Sequence, residues 1–176
     1  LNADQQNGWP ELLPFMLQGT RSGDANMHEA SLTIFNALAD FMCEKMVPYH
    51  ATLLEVFRGS LQTDQPMAVR IAGLKGLASF LLALQSADTR NHFQELVPLM
   101  LQAIAQALTS GEEESCRSAL EVFVEIAESQ PKFLKRHLHE AVNGMVAIAS
   151  NTSLEDATRH LALEFLLTVA ENMTSA

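Results

Sequence analysis

Ala119–Glu128 reads ALEVFVEIAE, and Ala162–Glu171 reads ALEFLLTVAE. Five of the ten positions are identical, and most of the others exchange one apolar residue for another, 43 residues apart. In the first copy Leu120, Phe123, Ile126 and Ala127 recur at helical spacing, while Glu121, Glu125 and Glu128 fall on the other face at i, i+4 and i+7. Ten residues written twice in this way predict two copies of one amphipathic helix.

The same template slides upstream. Ser31–Asp40 (SLTIFNALAD) places Leu32, Phe35 and Leu38 in its apolar positions, and Gly73–Leu82 (GLKGLASFLL) places Leu74, Leu77 and Phe80 there. Four copies therefore follow one another at intervals of 42, 46 and 43 residues. A second helix recurs between them. Glu11–Gln18 (ELLPFMLQ) matches Glu95–Gln102 (ELVPLMLQ), with Ala51–Leu61 and Leu138–Ala149 in the remaining slots. Paired helices at a period of about 40–47 residues are the signature of HEAT or armadillo repeats. The fold class this implies is all-α, a HEAT-repeat superhelix of about four helix pairs. It is a single solenoid over 1–176, with repeats at approximately 8–45, 48–86, 89–130 and 131–173. Leu32, Leu74, Leu120 and Leu163 are expected to face inward.

Punctuation fits this division. Asp64 and Pro66 read as an N-cap and a helix-opening proline, and Ser153–Asp156 (SLED) as a capping box. In GEEES, Gly111 ends one helix and three glutamates open the next. Pro48 and Pro131 sit where first helices begin, whereas Pro14 and Pro98 are expected to kink theirs. The proline within the first helix and the Val69–Arg70 pair at the start of the second favour HEAT over armadillo. Arg117 and Arg159 repeat that arginine, and His28 replaces it in the first repeat. Armadillo adaptors carry a Trp and Asn ladder on inner helices. Here the single tryptophan, Trp9, falls on an outer helix.

Composition narrows the function. The 48% hydrophobic content excludes a disordered chain. The net charge of −10 is spread along the sequence, which disfavours nucleic acid and anionic membranes and suits a basic protein partner. The longest apolar run, Gly76–Leu84, is far too short to span a bilayer. Cys43 and Cys116 cannot build a disulfide framework, so a reducing compartment is the simpler reading. No phosphate loop, nucleophile triad or zinc spacing is present, and His137 and His139 point about 200° apart on a helix. Neither an enzyme nor a cofactor is expected.

Asn7–Leu17 (NGWPELLPFML), His28–Leu38 (HEASLTIFNAL), Pro131–Leu138 (PKFLKRHL) and Arg159–Glu171 (RHLALEFLLTVAE) resemble the karyopherin-β nuclear transport receptors, and most closely their importin-five branch. The resemblance covers essentially the whole chain. It implies a segment from the N-terminal side of a longer receptor that shuttles between cytoplasm and nucleus. Its partners would be basic cargo signals, Ran-GTP and phenylalanine–glycine nucleoporins. The acidic loop with which some members grip Ran has no evident counterpart.

In such solenoids the second helices line the concave side. Their outward positions form three rows: Thr33, Lys75, Glu121, Glu164; Ala37, Ser79, Glu125, Thr168; and Asp40, Leu82, Glu128, Glu171. The acids gather in the last two repeats, so Glu121, Glu125, Glu128, Glu164 and Glu171 are the candidate partner-binding residues. A merely solvated face is the competing reading. A static scaffold of a multiprotein complex is the alternative function. Apolar faces near Trp9, Phe165 and Leu166 are expected to be exposed and to favour self-association.

Overall fold

The computed structural model describes residues 12–174, and the side chains of residues 14–172. The first pair of helices is α1 (Leu12–Thr20) and α2 (Ala25–Met46), and the second is α3 (His50–Ser60) and α4 (Met67–Ala83). A short α5 (Ala87–Asn91) precedes the third pair, α6 (Val97–Thr109) and α7 (Glu113–Ser129). The fourth pair is α8 (Leu138–Ser150) and α9 (Asp156–Thr174). Among the described residues there is no strand. Each first helix packs on its own second helix, and α2, α4, α7 and α9 pack on one another in succession. The result is a two-layer HEAT-type solenoid.

One repeat cannot bury its apolar face alone, so the core runs through the stack. Phe35 meets Phe57 edge-on, with centroids 5.4 Å apart, and Phe80 at 5.9 Å. Phe80 and Phe57 both reach Phe93, at 5.5 and 6.4 Å. Four rings therefore tie the first three repeats together, and Phe123 with Phe165 ties the third to the fourth at 6.0 Å. Leu32, Leu74 and Leu120 are buried as expected, but Leu163 is 44% exposed. The reason is positional: α9 is the last second helix described, and Leu163 sits on the face that its equivalents turn toward the following one.

Several helix ends differ from the sequence reading. Pro66 itself is the N-cap of α4, which places Asp64 two residues too early to cap, and no side chain caps that end. Pro98 lies in the first turn of α6, where its missing N–H costs nothing, so it opens the helix and does not kink it. Pro14 lies in the first described turn of α1. Ser153 does not cap α9, because its N and Oγ both turn to Asn151 Oδ1 (3.1 and 2.6 Å). Gly111 behaves as expected. At φ +73° its N–H reaches Leu108 O (3.1 Å), and Glu112 N reaches Ala107 O (2.8 Å), which is a Schellman ending for α6. Asp24 caps α2 through Asn26 N at 2.9 Å.

Candidate partner-binding surface

The surface is built on α7 and α9. In α7 the residues Leu120, Phe123, Val124, Ile126 and Ala127 are buried, and this turns Glu121, Glu125 and Glu128 outward. In α9 the burial of Ala162, Phe165 and Val169 leaves Glu164 and Glu171 exposed. Side-chain bonds set the register between the two helices. Glu113 Oε2 accepts from Thr158 Oγ1 (2.7 Å) and from Glu155 N (3.1 Å) at the start of α9. Arg117 Nη1 donates to Glu155 Oε2 at 2.8 Å, and at the far end Asn172 Nδ2 donates to Ala127 O at 3.3 Å.

In the 43-residue repeat, Glu121 corresponds to Glu164 and Glu128 to Glu171. All five candidate glutamates are exposed, and among the described residues Glu121, Glu125, Glu128 and Glu164 join no ion pair. Exposed carboxylates outside any ion pair favour nearby cations. On the same side of the layer, a cleft of about 430 Å³ between α2, α4 and α7 is walled by Glu29, Asn36, Lys75 and Glu114.

Sequence reasoning found the recurring polar position at the start of the second helices but misplaced one member of it. The positions equivalent to Arg70 are His28, Cys116 and Arg159, not Arg117. Cys116 is buried there, while Arg117 lies one position on and faces Glu155. His28 Nε2 shares a 2.8 Å hydrogen bond with Ser60 Oγ in α3. Arg70 is fully buried and donates to Gln106 Oε1 in α6, while its Nε and Nη2 have no protein partner among the described residues. Burial lowers the pKa of both His28 and Arg70. Arg159 Nε turns back to Ala149 O at 3.1 Å. Arg90 is likewise buried, donating to Leu81 O and Leu84 O at the C-terminus of α4, where the helix dipole favours a cation. The offset of 43 residues could have placed Cys116 at this position. The eye instead follows the nearest arginine.

Other chemistry is sparse. Burial pushes the thiols of Cys43 and Cys116 up to about 11, so both stay protonated and unreactive near neutrality. Among the described residues no group of three or more His, Cys, Asp or Glu could hold a metal, and no helix is long and apolar enough to cross a membrane. On the opposite, first-helix side, an apolar groove of about 430 Å³ runs between α6 and α8, lined by Pro98, Leu101, Ala105, Leu108, Gly144 and Ile148.

A solenoid of stacked helix pairs presents extended helix-lined surfaces. Comparison with known proteins makes the class specific. The family described as IPO5-like, TPR repeats matches residues 1–144. A probable importin-5 homolog of Dictyostelium discoideum is 26% identical over 169 residues, covering 95% of this chain and 16% of the relative. Importin subunit beta-3 of Saccharomyces cerevisiae is 26% identical over 175 residues, covering 96% and 15%. The solved structure of Kap121p bound to RanGTP superposes with a TM-score of 0.76 at 27% identity, covering 95% of this chain and 15% of that one. Kap121p bound to the SUMO protease Ulp1p gives 0.77 at 26%, covering 95% and 16%. The chain belongs to the importin-5-like family of karyopherin-β proteins, which are transport receptors and not enzymes. It spans about one sixth of the length of these relatives. The family description speaks of TPR repeats, but intervals of 42 to 46 residues exceed the 34-residue TPR period and fit HEAT.

Proposed function

We propose that this solenoid serves a nuclear import receptor, and that Glu121, Glu125, Glu128, Glu164 and Glu171 receive a basic protein partner. The reading is supported above all by the alignment of two exposed acidic rows on neighbouring helices. Family membership supplies the transport context, with shuttling between cytoplasm and nucleus. A lysine- and arginine-rich cargo segment is the partner whose charge this surface complements, and the basic surface of Ran-GTP is a second. Kap121p, a structural neighbour, has been solved with RanGTP and with the SUMO protease Ulp1p. The apolar α6–α8 groove suits the aromatic side chains of phenylalanine–glycine nucleoporins, on the side away from the acids.

Exposed charge pairs contribute only about 0.2–1 kcal/mol each, so no single glutamate is decisive. Changing all five to lysine is the test. Association with a lysine- and arginine-rich peptide, and with GTP-loaded Ran, should slow markedly at low salt and converge with wild type at high salt. Circular dichroism should show the same helix content, because the five positions face solvent. Unchanged association rates for both partners at low salt would reduce the rows to a solvated face and favour a static scaffold.

A further inference from the structure

The outward row Thr33, Lys75, Glu121 and Glu164 occupies equivalent positions on α2, α4, α7 and α9, which pack on one another in succession. All four side chains are exposed. Lys75 is the one cation in the three outward rows, and it joins no ion pair among the described residues. The row therefore changes sign at α4. Lys75 also opens on the cleft of about 430 Å³ between α2, α4 and α7, whose walls carry Glu29, Asn36 and Glu114.

Hydrogen bonding gives this cleft its chemistry. Lys75 and Ser79 stand at i and i+4 on α4 and so share one face. Ser79 Oγ donates to Asn36 Oδ1 at 2.6 Å, which occupies the Asn36 carbonyl. The Asn36 amide N–H groups are left to donate, and they have no acceptor among the described residues. The Lys75 ammonium and the Asn36 amide are thus two donors on one cleft, and a carboxylate can accept from both. Glu29 and Glu114 on the same walls disfavour a run of acids and favour cations on either side of a single one.

We propose that Lys75 and Asn36 receive a single Asp or Glu set beside the basic stretch of a partner segment, and so fix the register of that segment on the solenoid. The proposal rests on the reading that the α7 and α9 glutamates take the basic side chains. Packed helices lie roughly 8–10 Å apart, and an extended chain advances about 3.3 Å per residue. A partner strand crossing the second helices therefore presents a side chain to each next helix about every three residues. The segment that fits carries its acid opposite Lys75, a lysine or arginine opposite Glu121, and a second base opposite Glu164. A uniformly basic segment sets a like charge against Lys75, so this position tells the two kinds of segment apart.

The test is fluorescence anisotropy of labelled peptides with the full chain at low salt. Each peptide carries two lysines at i and i+3, and the set varies the residue one further step of three away: Asp, Asn or Lys. Both orders are made, with the varied residue first or last. In one order the Asp peptide should bind about threefold more tightly than the Asn peptide, the size of one exposed charge pair, and the Lys peptide should bind least. Lys75→Gln should abolish the difference and Lys75→Glu should invert it, with helix content unchanged because residue 75 faces solvent. Moving the Asp one residue toward the lysines should also remove its advantage. Suppose Asp and Asn peptides bind wild type equally, yet both weaken in Glu121→Lys with Glu164→Lys: the proposal falls and the acidic surface stands. Peptides indifferent to those two glutamates would remove the acidic-surface reading and the proposal with it. An Asp advantage that survives Lys75→Gln would overturn the proposal alone.

Discussion

The α2–α4 and α7–α9 interfaces use the same template positions and hold together by different chemistry. Between α2 and α4 the contact is close and largely apolar. At Gly76 the helices lie so close that an added Cβ would be in ordinary van der Waals contact, 3.5 Å from Leu32 O and 3.6 Å from the Phe35 ring. Phe80 packs on Phe35, and two side-chain hydrogen bonds join these helices among the described residues, Ser79 Oγ to Asn36 Oδ1 at 2.6 Å and Cys43 Sγ to Phe80 O at 4.0 Å. Between α7 and α9 the single ring pair, Phe123 with Phe165, is flanked by the Glu113 and Arg117 bonds at one end and the Asn172 bond at the other. The difference teaches that periodicity fixes the register while the pin is free to vary. Where ionic side chains pin the edge of the interface, the outward rows are acidic. Where apolar contact does the pinning, those rows are mixed.

The largest expected effect breaks the apolar side. Phe80 is fully buried and touches both Phe35 and Phe93, so it joins three repeats. Phe80→Ala should cost about 3–5 kcal/mol, read as a lowered urea midpoint. Phe165→Ala, whose ring meets only Phe123 among the described rings, should cost less because the last helix pair can relax around it. Equal losses would mean that the two interfaces contribute alike, and the contrast would fail.

The buried guanidinium comes next. Gln106→Ala removes the one side-chain acceptor that Arg70 has among the described residues, and leaves a buried charge unpaired. The expected loss is about 3 kcal/mol. Arg70→Met should be near neutral, because an apolar chain of similar volume removes the desolvation cost together with the bond. Denaturant unfolding of the two variants separates a costly ion from a stabilising one. A large loss in Arg70→Met would assign it the stabilising role.

On the polar side, Glu113→Ala should cost about 2 kcal/mol, since it strips acceptors from the buried Thr158 hydroxyl and from the first turn of α9. Amide hydrogen exchange should quicken first at the start of α9 and leave α2 and α4 unchanged. Uniform quickening along the chain would show that the pin is not local.

How much of this was legible follows from the kind of interaction involved. Apolar periodicity is local, so the template reading already marked Phe35, Phe80 and Phe123 as core and Glu121, Glu125 and Glu128 as surface. What it missed depended on neighbours one repeat away. Leu163 reads as core in a ten-residue window, and only the absence of a described helix beyond α9 exposes it. Apolar area is exposed near Phe165 and Leu166 as the sequence implies, but Leu163 and Leu167 supply it, while Phe165 itself is buried against Phe123. The capping box read at Ser153 failed for the same reason, because a glutamate 42 residues upstream supplies the acceptor for Glu155 N. The expectation for exposed apolar surface near Trp9 lies outside the described residues.

The smallest expected effect is pH-dependent and confined to the first repeat. His28 is 8% exposed, bonded to Ser60, and its pKa is lowered below 6.5 by burial. A lowered native value means that the unfolded chain binds more protons than the folded one between the two pKa values, so stability rises with pH across that window. The contribution of His28 is therefore complete above about pH 6.5 and is lost as acidification passes through its lower native value. Gln at this position keeps a donor for Ser60 Oγ and cannot titrate. Melting temperature measured from pH 7.5 to 5 should fall less for His28→Gln than for wild type, and the gap should open only below about pH 6.5. Replacing Arg159, the equivalent residue in the fourth repeat, with Gln removes the bond from its Nε to Ala149 O and should shift the whole curve without changing its slope. Parallel curves for His28→Gln and wild type would show that the buried imidazole contributes no pH dependence, and the first repeat would then differ from the fourth only in packing.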